Sequence, residues 1–229
     1  MEFLDVVRKR RSVRHYSPNR PPFEELERIV DLARRAPSAG FSQGLDLLVL
    51  DDPDAVDRFW TLTHDPGRED RPADEKSPVV ILVFADPQRY LARYSADDKI
   101  EFGLDDLDRW PVRFWDVDGG MASMLLQLAA VDAGLATWFL GVGYGEDDVR
   151  RELSVPDNRM MVGVIAVGYR DPDETPSGSG VSRRRRPLGD QLHRNGWWRR
   201  QAAREPPRLS DLTFQASVAR SRPRFRPRV

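Results

Sequence analysis

Arginine side chains are concentrated in two short segments near opposite ends of the 229-residue chain. The first segment is Arg10-Arg11-Ser12-Val13-Arg14 and the second is Arg183-Arg184-Arg185-Arg186. A phosphomonoester carries close to two negative charges near neutral pH, and the planar guanidinium of arginine can donate two parallel hydrogen bonds to its oxygens. The two segments are therefore candidates for a single phosphate site that joins both ends of the chain. The alternative is that each segment is a basic run exposed to solvent.

The other reactive side chains indicate little chemistry of their own. The chain has no cysteine, which excludes disulfides, thiolate nucleophiles and cysteine-ligated metal or iron–sulfur sites. His15, His64 and His193 are isolated and lack the spacing of a two-histidine, one-carboxylate site, so we predict no bound metal. No serine lies in the Gly-x-Ser-x-Gly context of a serine hydrolase. The glycines from Gly141 to Gly145 lack the spacing of a dinucleotide fingerprint and predict a turn.

Hydrophobic periodicity predicts the elements that must position the arginines. The predicted helices span residues 2–9, 23–33, 53–63, 119–133 and 146–153, and the predicted strands span residues 45–50, 79–85, 137–142 and 160–169. The continuous apolar run at 79–85 indicates a strand that is buried on both faces. Residues 87–117 mix acids with bulky aromatics and are interpreted as a lid or an insertion.

The helix at 119–133 is apolar on nearly all sides, with Asp118 as its expected N-cap. Such a helix has no face suited to water, so it belongs in a core. Two interpretations remain open: the core of a monomer, or the boundary between two subunits.

Composition favours a globular protein, since 40% of the residues are hydrophobic and 32% are charged. No stretch reaches the roughly 20 apolar residues of a membrane-spanning helix, and the N-terminus does not resemble a secretory signal, so we expect a cytoplasmic protein. The net charge is −1, but residues 199–229 contain nine arginines and two acids, which leaves the remainder at −8. We predict a domain at 1–198 and an Arg/Pro-rich extension at 199–229 that lies along the acidic surface of a second copy.

Five segments, taken in order, resemble the motifs of the nitroreductase superfamily. They are Arg10-Arg11-Ser12-Val13-Arg14-x-Tyr16; Ala36-Pro37-Ser38-Ala39-Gly40-Phe41-Ser42-Gln43; Asp118-Gly119-Gly120 with the following Gln127-Leu128-Ala129-Ala130 and Gly134-Leu135; Val162–Tyr169; and Arg185-Arg186-Pro187-Leu188. Each segment alone is a weak signal, whereas the five together occur at the family's spacing. The resemblance covers residues 5–197.

The resemblance implies an α+β fold, in which a mixed, mostly antiparallel sheet is flanked by helices. Two subunits would intertwine as a homodimer around two FMN sites. It further implies an FMN-dependent oxidoreductase that takes hydride from NAD(P)H and passes it to an electron-poor acceptor, such as a nitroaromatic, a quinone or an enone. No side chain need act as acid or base, because the flavin carries the chemistry.

The residues implied to bind FMN fall into three groups. The phosphate and the ribityl chain would be bound by Arg10, Arg11, Ser12 and Arg14 of the first segment, together with Arg183 and Arg185 of the second. The partner subunit would place Pro37, Ser38 and Ala39 along the flavin ring. Leu140 and Gly141 would offer backbone N–H groups to the ring.

Two other functions stay open. The first is a dedicated biosynthetic dehydrogenase or a flavin-modifying enzyme of the same fold. The second is a non-catalytic protein that binds nucleic acid through the basic extension. The acidic remainder of the chain disfavours nucleic acid, because negative charge repels a phosphate backbone.

Overall fold

The computed structural model describes residues 1–67, 69, 72, 75–176 and 178–197. The chain divides into two compact units, of which the first ends at residue 177 and the second begins at Gly178. The first unit carries every described strand and the helices that cover them. The predicted extension at 199–229 lies outside the described residues, so the domain boundary at 198 stays a prediction.

Four strands form one sheet in the order β1-β2-β4-β3. They are β1 (Leu45–Leu50), β2 (Val79–Ala85), β3 (Ala136–Leu140) and β4 (Met160–Gly168). All three pairings among these strands are antiparallel. The only parallel pairing within the described residues is an isolated bridge between Ser12 and Thr137. The predicted α+β fold with a mostly antiparallel sheet is confirmed, and each strand ends within two residues of its predicted limits.

Helices cover both faces of the sheet. The helices of the first unit are α1 (Phe3–Lys9), α2 (Phe23–Ala33), α3 (Pro53–Leu62), α4 (Pro87–Tyr94), α5 (Phe114–Asp132) and α6 (Glu146–Glu152). Alternate residues of β2 face opposite sides, as the pleat requires. Val80, Leu82 and Phe84 share a core with α3 and α6. Val79, Ile81 and Val83 share another core with α2 and α5. All seven residues of β2 are buried, as the apolar run predicts.

Helix α5 begins earlier than the sequence indicates. Asp118 was expected to be its N-cap, but the helix starts at Phe114 and Asp118 lies inside it, so that expectation is wrong. The physical reason is that the Asp118 carboxylate accepts hydrogen bonds from Ala39 and Tyr90 instead of capping its own helix. The opposite side of α5 is apolar and exposed, with Met121 at 37% and Met124 at 44% exposure. Helix α5 is therefore apolar on two faces, and only one of them is buried within the described part of a single chain.

The segment between α4 and α5 is packed by aromatic side chains. It contains two short 3₁₀ turns, Ile100–Phe102 and Leu107–Arg109. The rings of Tyr90, Tyr94 and Trp110 meet edge to face, with 4.7 Å between the centroids of Tyr94 and Trp110. The segment therefore forms a small core of its own against α4 and α5. Among the described helices, none is both long enough and apolar enough to cross a membrane.

Candidate functional site

The first arginine segment lies beside β3. Ser12 forms a parallel bridge with Thr137 of that strand, and the backbone amide of Val13 donates to the Thr137 carbonyl oxygen at 3.0 Å. Tyr16 is buried, and its hydroxyl donates to the Val13 carbonyl oxygen at 2.7 Å. The backbone of Arg10–Arg14 is therefore fixed at the edge of the sheet. Arg10, Arg11, Ser12 and Arg14 are all half-buried there.

The arginines of this segment have different surroundings. The Arg14 guanidinium lies over the ring of Trp138 on β3, 5.0 Å from its centroid. Arg11 donates through Nη1 to Glu174 Oε1 at 2.9 Å and through Nη2 to Glu174 Oε2. Arg170 adds a contact from Nε to Glu174 Oε2 at 3.0 Å. Burial alone would raise the pKa of Glu174, but hydrogen bonds and charge from Arg11 and Arg170 outweigh burial and hold that pKa below its usual value.

A cavity of about 720 Å³ opens at the C-terminal end of β3. Its walls are Phe59 and Trp60 of α3, the stretch Leu140–Tyr144, and side chains that include His64 and Lys76. Leu140 and Gly141, which the resemblance assigns to the flavin ring, therefore line a cavity that lies on the same strand as the Arg10–Arg14 segment. The backbone amides of residues 141–143 donate no hydrogen bond to another described residue.

Pro37 and Ser38 line a second cavity, of about 600 Å³, and Ala39 directly follows them in the chain. The backbone amide of Ala39 donates to Asp118 Oδ2 at 2.9 Å, and the buried hydroxyl of Tyr90 donates to the same oxygen at 2.8 Å. Burial, followed by the hydrogen bond and the charge of Asp118, raises the pKa of Tyr90. Ser38 Oγ accepts from the backbone amide of Gln43 at 3.0 Å. These bonds hold a tight turn whose backbone is left-handed at Gln43.

The two cavities lie at opposite edges of the sheet. Leu140 belongs to the edge strand β3, whereas Leu45, which lines the second cavity, begins the other edge strand β1. Three strand spacings separate these edges, which is roughly 14 Å. The first cavity also borders α3, while the second borders α5 on the other face of the sheet. Within one chain, Pro37, Ser38 and Ala39 therefore do not meet Leu140 and Gly141 or the arginine segment beside β3.

The second arginine segment belongs to the second compact unit. Arg183 follows a four-residue helix, α7 (Ser179–Ser182), and Arg185 is exposed. Arg186 donates to the carbonyl oxygen of Asp190 at 2.7 Å. The proposed closure of the phosphate site by Arg183 and Arg185 stays a prediction.

Four residues around these sites did not emerge as site residues from the sequence. Glu174 and Arg170 follow β4 in a polar stretch that carries no motif. Trp138 lies in a strand where an aromatic residue is ordinary. Asp118 was noticed, but as a helix cap, which is the commoner role for an aspartate at that point in the sequence. Only the hydrophobic residues around Asp118, which extend the helix pattern toward Phe114, could have indicated its interior position.

Two proteins of known name are similar to this chain in sequence. A protein of Methanothermobacter thermautotrophicus, provisionally named NADH dehydrogenase/NAD(P)H nitroreductase, is 29% identical over 179 residues, which are 77% of this chain and 80% of that protein. Iodotyrosine deiodinase 1 of Sus scrofa is 37% identical over 195 residues, which are 76% of this chain and 63% of that protein.

Solved structures share the fold. A nitroreductase family protein from Streptococcus pneumoniae TIGR4 has a TM-score of 0.64 at 21% identity, covering 84% of this chain and 100% of that chain. A protein from Exiguobacterium sibiricum, provisionally named a nitroreductase and solved in complex with FMN, has a TM-score of 0.62 at 23% identity, covering 84% of this chain and 97% of that chain. The sequence profile of the Nitroreductase family matches residues 7–169, well over half of the chain. The chain therefore belongs to the Nitroreductase family.

Proposed function

We propose that the protein is an FMN-dependent oxidoreductase that takes hydride from NAD(P)H and delivers it to an electron-poor small molecule, such as a nitroaromatic, a quinone or an enone. The observation that carries the proposal is the arrangement along β3. A half-buried basic segment lies beside the strand at Thr137, and a cavity of about 720 Å³ opens where the strand ends. The FMN-bound relative from Exiguobacterium sibiricum supports the same cofactor.

The residues along β3 fit the chemistry of FMN. The cavity volume lies within the range of about 300–1,000 Å³ that is typical of cofactor sites. A Cβ atom built on Gly141 or Gly143 would meet nothing within 4 Å, so this stretch leaves room for a ring. Bound FMN would supply a site that accepts and donates hydride. The backbone N–H groups at Leu140 and Gly141 would stabilise negative charge on the ring and thereby raise its potential.

The phosphate would be held by the basic segment. Arg10, Ser12 and Arg14 offer charge and hydrogen-bond donors next to β3, and Arg183 and Arg185 would complete the site. Arg11 has its two terminal nitrogens on Glu174, so its contribution is of a different kind. Trp138 limits the motion of Arg14 by lying against its guanidinium.

A complete flavin site would need a second copy of the chain. Pro37, Ser38 and Ala39 lie at the opposite edge of the sheet from Gly141, so the same chain cannot bring both groups to one ring. The exposed apolar side of α5 offers a surface on which two copies could pack. We therefore propose a homodimer in which each flavin contacts both subunits.

A second candidate function uses the same cofactor on a halogenated aromatic compound. It is favoured by the 37% identity to Iodotyrosine deiodinase 1 of Sus scrofa. In this case the flavin would supply reducing equivalents to a carbon–halogen bond instead of a nitro or quinone group. The two candidates differ in the acceptor and share every cofactor-binding residue.

The test is an absorption spectrum of the purified protein with added FMN, recorded without oxygen before and after NADH or NADPH. We expect a flavin spectrum that bleaches with the pyridine nucleotide and returns with a nitroaromatic, a quinone or an iodinated phenol, depending on the acceptor. The Arg14→Ala variant should bind FMN more weakly, whereas the control Arg28→Ala, at an exposed arginine of α2, should not. A wild-type protein that binds no FMN would contradict the proposal. If that colourless protein bound nucleic acid, the basic extension would define the function instead.

A further inference from the structure

We infer that Glu174 is a positioning residue for the phosphate-binding segment Arg10–Arg14, and that it acts through Arg11. This inference rests on the proposed function, since it concerns how the segment is prepared for a phosphate. It assigns Arg11 a different role from Arg10 and Arg14. Arg11 anchors the segment to the body of the protein, while its neighbours in the segment bind the ligand.

The first observation is the degree of burial of the carboxylate. The side chain of Glu174 is fully buried, with 0% exposure, whereas that of Arg11 is 32% exposed. A buried carboxylate is costly unless it is paired and hydrogen-bonded. Both of its oxygens are used, because Arg11 reaches Oε1 and Oε2 and Arg170 Nε reaches Oε2 at 3.0 Å. A group satisfied in this way defines one orientation of Arg11.

The second observation is that Glu174 is itself held in place. Arg170 Nη2 donates to the carbonyl oxygen of Glu174 at 2.7 Å, and the Glu174 amide donates to the carbonyl oxygen of Asp171 at 3.1 Å. The Asp171 amide in turn donates to the carbonyl oxygen of His15 at 3.2 Å. The chain after β4 and the end of the arginine segment are thus joined by backbone bonds, and the ion pair closes the same connection at Arg11.

The third observation is the direction of the neighbouring side chains. Ser12 pairs with β3, and in extended backbone successive side chains point to opposite sides. Arg11 and Val13, on either side of Ser12, both contact the body of the protein, Arg11 through Glu174 and Val13 as a buried core residue. Holding Arg11 on one side therefore keeps the side chain of Ser12 on the other.

The inference and simple electrostatics predict opposite effects of Glu174→Gln on the affinity for FMN. Glu174→Gln removes a negative charge close to the proposed phosphate site, so charge alone would strengthen the binding of FMN. Positioning predicts the opposite, because an unanchored segment must be ordered when the ligand binds. We expect the dissociation constant of FMN to rise about 10-fold, the equivalent of one hydrogen bond, while that of riboflavin changes little.

The experiment measures the affinities of FMN and riboflavin for four full-length proteins: wild type, Glu174→Gln, Arg11→Gln and the double variant. Positioning through Arg11 predicts that each single variant lowers the preference for FMN and that the double variant lowers it no further. The control is Asp86→Asn. Asp86 is another buried carboxylate, it directly follows β2, and it pairs with Arg159. This substitution should reduce stability without reducing the preference for FMN over riboflavin.

Two results would overturn part of this reasoning, and a further measurement decides if one variant does not fold. If Glu174→Gln binds FMN as tightly as wild type or more tightly while Arg11→Gln binds it more weakly, Arg11 is a direct ligand and the inference is wrong, although the proposed function stands. If wild type binds neither FMN nor riboflavin, the proposed function itself fails. If Glu174→Gln does not fold, hydrogen exchange of the Val13 amide in cofactor-free Arg11→Gln decides: faster exchange than in wild type supports the anchor, and unchanged exchange contradicts it.

Discussion

Replacing Tyr90 with phenylalanine removes one hydroxyl group from the interior and leaves the ring in place. That hydroxyl donates to Asp118 Oδ2 at 2.8 Å, and the two residues are only 1% and 7% exposed. The carboxylate would keep its bond from the Ala39 amide but lose the one from Tyr90. A hydrogen bond to a charged group contributes about 1.5–3 kcal/mol, so Tyr90→Phe should lower the free energy of unfolding by about that amount near neutral pH.

At alkaline pH, the difference in the free energy of unfolding between wild type and Tyr90→Phe should become smaller. Burial and the neighbouring Asp118 raise the pKa of Tyr90, so the folded protein keeps its phenol neutral. In the unfolded chain tyrosine ionises near pH 10, so the stabilisation is complete below that pH and is lost as the pH rises above it. At one pH unit above 10, the wild-type protein should have lost about 1.4 kcal/mol of its free energy of unfolding. Phenylalanine has no such loss, so the difference should shrink by that amount between about pH 8 and pH 11.

The assay is urea unfolding of both proteins at the two pH values and at one protein concentration, because the stability of the proposed homodimer would depend on concentration. Tyr169→Phe is the matched control, since the side chain of Tyr169 is exposed and its change should stay within about 0.5 kcal/mol. Equal stability of Tyr90→Phe and wild type near pH 8 would refute the contribution of the hydrogen bond. A difference that stays constant up to pH 11 would refute the assigned direction of the Tyr90 pKa.

Three further predictions concern assembly, backbone strain and the phosphate. Glutamate at both Met121 and Met124, on the exposed apolar side of α5, should convert the proposed dimer into a 26.2 kDa monomer in sedimentation, and an unchanged dimer would exclude this face. Gly145→Ala should destabilise clearly more than Gly103→Ala: both positions have positive φ, which costs about 1–2 kcal/mol, but only at Gly145 would the new Cβ overlap a carbonyl oxygen at the end of α3. Arg185→Ala should weaken FMN binding roughly 10- to 150-fold and riboflavin binding little; unchanged FMN affinity would remove Arg185 from the site.

The strands could be predicted because their signals are local. The apolar run at Val79–Ala85 and the apolar-to-polar changes around the other strands depend only on neighbours in sequence. The same holds for α2, where Leu26, Ile29 and Ala33 recur at helical spacing and are all buried. The start of α5 was missed because Asp118 is a good local cap, and only donors from two distant segments show that it serves another purpose.

The stretch between α4 and α5 could not be predicted because its packing has no period. Trp110 meets Tyr90, Tyr94, Phe114 and Trp115 at steep interplanar angles, which depend on three-dimensional placement and not on spacing along the chain. Its interpretation as a lid or insertion captured the composition. It did not capture the fact that α4 continues directly from β2, with Asp86 as a cap that accepts from the Gln88 amide at 3.0 Å.

The different roles of the arginines in the candidate site could not be predicted from the neighbouring sequence. In the sequence Arg10, Arg11 and Arg14 are three equivalent donors, and nothing around them separates an anchor from a ligand. The separation comes from Glu174, which is 163 residues from Arg11 along the chain and carries no motif. Glu174 pairs with both Arg11 and Arg170, so it offsets part of the positive charge of the segment and holds Arg11 in one orientation. In the proposed site Arg10 and Arg14 would meet the phosphate, and their geometry would depend on a carboxylate that need not touch the ligand at all.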